Sequence, residues 1–153
     1  MYSVTKRIDF CYGHRLLDYD GICKHPHGHN AVAEIEVRTE SLDLRDMVCD
    51  FSDIKRVVKG WIDRELDHKM ILRRDDPLLE PLRELGEPVF VVDHNPTVEQ
   101  IAKLIFDQAN EQGFSVVRVT VWETPTSFAT YYGTLQSSDA KSTSELTTPT
   151  LLR

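Results

Sequence analysis

The sequence predicts an α+β fold: an antiparallel sheet with two helices on one of its faces. Three observations predict it. Two alternating stretches near the start flank a short polar segment, two stretches of helical period follow, and two further alternating stretches close the pattern. Strands and helices segregated as β-β-α-α-β-β place both helices on one side of a sheet.

The first strand is residues 2–12. Tyr2, Val4, Ile8, Phe10 and Tyr12 share one parity, and Ser3, Thr5, Arg7 and Asp9 the other, as in a half-buried strand. Residues 31–39 repeat the pattern, with Ala31, Ala33, Ile35 and Val37 opposite Glu34, Glu36 and Arg38. The two strands flank a His-rich loop, so an antiparallel hairpin is the economical pairing. A helix follows: Phe51, Ile54, Val57, Val58, Trp61, Ile62 and Leu66 keep the 3.6-residue period. Asp50 suits its N-cap, and Asp53 complements the dipole in its first turn. Residues 72–96 contain four prolines and read as an irregular connection with a short strand at 89–92. The second helix begins after Asn95-Pro96, where Thr97 and Gln100 resemble a capping box. Its apolar stripe is Val98, Ile101, Ala102, Ile105 and Ala109, and Gly113 ends it. Residues 115–123 and 128–133 supply the last strands. Residues 1–133 thus read as a single domain. The Ser/Thr-rich stretch 134–153 reads as a mobile tail.

The chain has 153 residues, one domain's worth. It carries 18 Lys+Arg against 25 Asp+Glu, a net charge of −7. That excludes a broad nucleic-acid face, which is usually basic. One pocket can still be locally positive and hold a small anion. No apolar run approaches the roughly 20 residues of a membrane span. The start, MYSVTKRIDF, has no apolar signal core. Cys11, Cys23 and Cys49 are odd in number and far apart, which points to a reducing cytoplasm rather than a disulfide framework.

The chemistry concentrates in Cys23-Lys24-His25-Pro26-His27-Gly28-His29. His27 and His29 are two apart, so in extended chain their imidazoles share a face. A catalytic zinc takes three protein ligands and keeps a fourth position open. The third ligand is open among His14, His25, His68 and His94. His14 has the parity of Phe10 and Tyr12, which turns it toward His27 and His29 across a hairpin. Its alternative is a satisfied core histidine. Glu123 has the parity of Val117, Val119 and Val121. It either turns into solvent at the strand end or accepts paired N–H donors from a ligand. Cys23, beside Lys24 and near a bound cation, suits a base or nucleophile, or else a small buried hydrophobe. His68, after Asp67, is otherwise a helix C-terminal His that complements the dipole.

Taken together, these segments resemble the 6-pyruvoyl-tetrahydropterin synthase / 6-carboxy-tetrahydropterin synthase family. The carriers are Phe10 through His14, Cys-x3-His-Gly-His at Cys23–His29, Asp50-Phe51-x-Asp53, Leu66-Asp67-His68, Asn95-Pro96-Thr97-x-Glu99 and Trp122-Glu123-Thr124. The resemblance spans residues 2–133. It implies a tunnelling fold whose subunits form trimers that stack into a homohexamer, with active sites between subunits. It implies that His14, His27 and His29 bind zinc, that Cys23 is the general base, and that Asp67 and His68 relay protons. It further implies that Glu123 holds a pterin ring and that Thr97 frames it. The three-residue gap between Cys23 and His27 resembles the 6-carboxy branch, which feeds queuosine and other 7-deazapurines. That branch converts 7,8-dihydroneopterin triphosphate to 6-carboxy-5,6,7,8-tetrahydropterin, acetaldehyde and triphosphate. A pyruvoyl-type synthase, a paralogue of relaxed specificity and a non-catalytic zinc- or pterin-binding member are the alternatives. Arg15 and Lys24 are candidate cations for the triphosphate, by charge and proximity. The chain departs from the family at Tyr12, where a small residue is usual, at Leu72, where an Asn is usual, and at Val98, in place of an occasional hydroxyl residue.

Overall fold

The computed structural model describes residues 1–133, so the stretch read as a tail lies outside the described residues. Strands β1 (Tyr2–His14) and β2 (His27–Thr39) form the long hairpin, paired in antiparallel register from Tyr2 opposite Thr39 to His14 opposite His27. Both strands run further into the His-rich segment than alternation alone suggests. A single 3-10 turn, Ile22–Lys24, lies in the loop between them.

A continuous helical rod follows. It consists of α1 (Phe51–Ile54), a π turn (Lys55–Lys59) and α2 (Gly60–Glu65). The Asp50 carboxylate caps it by accepting from the Ser52 N–H at 2.7 Å. Then come β3 (Lys69–Arg73), the short α3 (Leu79–Glu84), β4 (Val89–Val92), α4 (Val98–Glu111), β5 (Val116–Thr124) and β6 (Ser127–Tyr132). The Thr97 hydroxyl caps α4 by accepting from the Gln100 N–H.

The sheet has six strands in the order β4-β3-β1-β2-β5-β6. It is mixed, which corrects the wholly antiparallel expectation. The β1-β2, β2-β5 and β5-β6 pairs are antiparallel, whereas β3 runs parallel to both β1 and β4. The reason is connection. The connection through α3 between β3 and β4 is a crossover and delivers β4 parallel to β3, whereas the rod passes β1 and brings β3 in antiparallel to β2, hence parallel to β1. Strand β3 escapes a search for alternation because neighbouring Ile71 and Leu72 are both fully buried. Burial on both faces removes the period of two. Helix α3 is under two turns long and contains Pro81, too short to show a helical period.

The rod and α4 pack on the same face. Ile54, Val58, Ile62 and Leu66 from the rod meet Ile101, Ala102, Ile105 and Ala109 from α4 over Ile8, Phe10, Ala33, Ile35, Val119 and Val121. The opposite face is charged, with Arg7 against Glu34 and Glu36 held between Arg38 and Arg118. Among the described residues no helix is long and apolar enough to cross a membrane.

Candidate metal centre

Alternation carries the chemistry to the ends of β1 and β2. Tyr12 and His14 continue the inward parity of Ile8 and Phe10, and His27 and His29 continue that of Ala31 and Ala33. Because Tyr12 pairs with His29 and His14 with His27, all four rings share the helix side of the sheet. Between them, Gly13 pairs with Gly28. A Cβ on Gly28 would stand 3.0 Å from the Tyr12 carbonyl oxygen, so a side chain there would push the two strands apart.

The structure brings together His14, His27 and His29. Their ligating nitrogens lie within 4.8 Å of one another. His14 Nε2 is 3.0 Å from His27 Nε2 and 3.2 Å from His29 Nε2. Of the other candidate ligands, His25 contributes only its carbonyl, His68 joins a different cluster, and His94 lines a separate groove beside β4.

The hydrogen bonds behind the rings fix their tautomers. His14 Nδ1 faces the Pro96 carbonyl at 2.6 Å, and His27 Nδ1 faces the His25 carbonyl at 2.8 Å. A carbonyl only accepts, so each Nδ1 carries a proton, and in the neutral form of that tautomer Nε2 turns a lone pair inward. Burial lowers the His14 pKa, with the neighbouring His27 and His29 adding to the effect. The Pro96 carbonyl and the Glu123 charge oppose it without overcoming it. Two lone pairs facing at 3.0 Å repel unless a cation lies between them. Around a tetrahedral zinc with Zn–N of 2.0–2.1 Å, nitrogens stand about 3.3 Å apart. The three rings fit such an ion, and the acceptors behind two of them are the supporting shell that metal-binding histidines require.

Glu123 also faces the centre. Its Oε1 accepts the Tyr12 hydroxyl at 2.6 Å and lies 3.7 Å from His14 Nε2 and 3.8 Å from His29 Nε2. The Tyr12 pKa is driven far above its ordinary value by burial first, then by the hydrogen bond to Glu123 and its charge. The phenol therefore stays protonated and donates. This places one of the family departures directly behind the carboxylate. The α4 start is pinned here too: the Asn95 side chain accepts from the Leu17 N–H at 2.9 Å and donates to the Leu17 carbonyl at 2.7 Å. Asn95 thereby sets the Pro96 carbonyl on His14 and places Thr97 one residue further on.

The remaining site candidates lie elsewhere. Asp67 and His68 end the helical rod and cluster with Cys11, not Cys23. His68 has a left-handed backbone, φ 58°, with its N–H bonded to the Cys11 carbonyl at 2.8 Å and its Nδ1–H to Asp67 Oδ2 at 2.7 Å. Burial acts against the Asp67 carboxylate. The Cys11 N–H, the His68 ring and the Cys11 thiol outweigh it and hold its pKa below the usual range. Cys23 sits on the 3-10 turn, and its carbonyl accepts from the Leu16 N–H. The Arg15 guanidinium is engaged bidentately by the buried Asp76, at 2.8 and 2.5 Å. Lys24 is exposed, 3.8 Å from Asp20. Sequence reasoning missed Cys11, the Pro96 carbonyl and Asp76. For Cys11 the signal was its place inside the Phe10–His14 carrier segment. Backbone carbonyls and loop carboxylates leave no such mark.

Comparisons with known proteins agree with this architecture. Residues 3–134 match the family model described as 6-pyruvoyl tetrahydropterin synthase. The chain is 37% identical over 135 residues to the 6-carboxy-5,6,7,8-tetrahydropterin synthase of Rickettsia bellii, covering 84% of this chain and 98% of that one. It is 33% identical over 139 residues to the Haemophilus influenzae protein of the same name, covering 86% and 99%. Among solved structures, an uncharacterized protein of Wolinella succinogenes superposes with TM-score 0.72 at 29% identity, over 86% of this chain and 97% of that one. The 6-pyruvoyl tetrahydropterin synthase of Caenorhabditis elegans superposes with TM-score 0.65 at 23% identity, over 86% and 95%, a likeness of fold.

Proposed function

The chain belongs to the 6-pyruvoyl tetrahydropterin synthase family, and we propose that it is a zinc-dependent 6-carboxy-5,6,7,8-tetrahydropterin synthase. Its substrate would be 7,8-dihydroneopterin triphosphate, and its products 6-carboxy-tetrahydropterin, acetaldehyde and triphosphate, with water supplying the second carboxyl oxygen. The product would feed 7-deazapurine synthesis of the queuosine type in the cytoplasm. One observation carries the reading. Three imidazoles converge, with His14 Nε2 3.0 Å from His27 Nε2 and 3.2 Å from His29 Nε2, and a carboxylate stands 3.7–3.8 Å from His14 and His29. The names of the curated relatives, at 33–37% identity, favour the carboxy branch.

His14, His27 and His29 would hold the zinc. Bound there, it supplies Lewis-acid polarisation of the side-chain oxygens. The chain's own groups do the rest. Glu123, fixed by the Tyr12 hydroxyl, accepts the amino and ring N–H donors of the pterin and orients the side chain toward the centre. Thr97 frames the ring from the start of α4. Cys23 removes a proton from the side-chain carbon. Asp67 holds His68 with its Nδ1–H bonded, which leaves His68 Nε2 free to receive and return protons. In one chain Cys23 belongs to neither cluster of ligating groups. That separation supports sites completed between chains of a homohexamer, in which one subunit's Cys23 would meet another's Asp67–His68 pair. Arg15 is committed to Asp76, which leaves Lys24 as the better candidate for the triphosphate.

The test is incubation of purified, zinc-loaded protein with 7,8-dihydroneopterin triphosphate and identification of products by mass. The expected result is 6-carboxy-tetrahydropterin with acetaldehyde in equal amount. A product retaining all side-chain carbons assigns a pyruvoyl-type reaction instead. No turnover by the zinc-loaded oligomer overturns the enzymatic reading.

A further inference from the structure

We propose that Cys11, Asp67 and His68 form a second metal site, one that takes a thiophilic divalent cation of the zinc class. Their ligating atoms lie within 4.8 Å of one another. The residues come from parts of the chain more than fifty positions apart. Three hydrogen bonds lock them together: Cys11 N–H to Asp67 Oδ1 at 2.8 Å, His68 N–H to the Cys11 carbonyl at 2.8 Å, and His68 Nδ1–H to Asp67 Oδ2 at 2.7 Å. His68 holds a left-handed backbone, φ 58°, a conformation that side chains beyond Cβ adopt only when surrounding bonds enforce it.

The donor set decides the metal. A thiolate, a carboxylate and an imidazole give two negative charges and one neutral nitrogen to a divalent ion. Sulfur selects a soft or borderline ion over magnesium or calcium. Three protein ligands leave a fourth position open. It would open toward a cleft of about 790 Å³ that Cys11, His68, Lys69, Met70 and Glu87 help to line. The site shares no ligand with the three-imidazole centre, although Tyr12, His27 and His29 border the same cleft. Strand alternation puts Cys11 and Gly13 on the face away from the helices, whereas Tyr12 and His14 point toward them. On binding, the Cys11 thiol proton passes to solvent, and the ion takes the place of the His68 Nδ1 proton while Nε2 takes up a proton from solvent, so the ring stays neutral. Metal occupancy and proton relay through His68 are therefore mutually exclusive. If the proposed enzymatic function holds, on which this consequence rests, excess zinc inhibits.

Cobalt(II) titration of the full metal-free chain tests the site without any substrate. Three imidazoles give no sulfur-to-cobalt charge transfer, whereas a thiolate ligand gives an intense near-ultraviolet band. The first equivalent per chain should bind without that band, and the second should produce it. Cys11→Ser should abolish the band and leave the first equivalent bound. Cys23→Ser and Cys49→Ser should retain it. His68→Ala, a change at a largely exposed side chain, should weaken the second equivalent at least tenfold without disturbing the fold. A wild-type chain with no charge-transfer band at several equivalents overturns the proposal. So does a band that survives Cys11→Ser or disappears with Cys23→Ser. Product identification fails or succeeds independently of this titration, so the two readings can be separated.

Discussion

Tyr12→Phe tests whether the carboxylate of the candidate site is held in place or merely lies there. The phenol is almost fully buried and donates to Glu123 Oε1 at 2.6 Å. Phenylalanine keeps the ring, its stacking on Phe10 at 5.6 Å and its edge contact with His14 at 5.1 Å. No cavity opens, and only the donor is lost. A hydrogen bond to a charged acceptor contributes about 1.5–3 kcal/mol. The Glu123 side chain keeps 18% of its exposure, so water replaces part of the loss and the lower end applies, about 1.5–2 kcal/mol. For a chain of this size that is a fall in Tm of roughly 3–8 °C. The assay is urea unfolding of the metal-saturated protein for wild type, Tyr12→Phe, Glu123→Ala and the double variant. A coupling energy of about 1 kcal/mol or more is expected, together with weaker pterin binding and unchanged metal content. Additivity within about 0.5 kcal/mol would refute the reasoning, because independent sites add to that degree.

Two further outcomes follow from the same region. Asp76→Ala strands the Arg15 guanidinium against a fully buried position and should cost about 3–5 kcal/mol in urea unfolding. Arg15 and the Leu78 N–H hold the Asp76 pKa below its ordinary value against the opposing effect of burial. Its contribution is therefore complete above the unfolded value near 4 and is lost as pH falls toward the depressed folded value. Wild type should lose this stability in acid, and the variant should show a correspondingly shallower acid limb. Gly28→Ala forces a Cβ to 3.0 Å from the Tyr12 carbonyl oxygen, a backbone atom that cannot swing aside. It should cost about 1–3 kcal/mol and weaken metal binding measured by competition with a chromophoric chelator. Unchanged affinity would show that the strand spacing does not set the His27–His29 geometry.

The hairpin and its histidines were legible because a single rule governs both. The period of two that buries Ile8, Phe10, Ala31 and Ala33 is the same period that turns His14, His27 and His29 inward. Core and site were thus read from one pattern. The α1–α2 rod and α4 were equally plain, each with a capped start and an apolar stripe. Strand β3 was hidden because its pairing is parallel and its two central residues are buried on opposite faces. A sequence carries no alternation where both faces are dry. Parity singled out His14 among the candidate third ligands, but its tautomer was not legible: that is set by the Pro96 carbonyl, supplied from 82 residues away, and no local pattern encodes an acceptor on a backbone.

The thiols make the sharper case. Sequence order puts Cys23 four residues before His27 and so invites a single cluster. Space puts the Asp67–His68 pair beside Cys11 instead, because Asp67 caps the Cys11 N–H where β1 extends past the start of β3. One chain therefore carries two separate clusters: a three-imidazole centre facing the helices, and an acid–histidine pair beside Cys11 at the far side of the same strand. A proton relay acts over hydrogen-bond distances. If, as proposed, one subunit's Cys23 works with another's His68, assembly is a condition of catalysis rather than an addition to it. Turnover in mixed oligomers of Cys23→Ala and His68→Ala subunits decides the point. Each parent would be inactive, and activity returning on mixing requires a site shared between subunits.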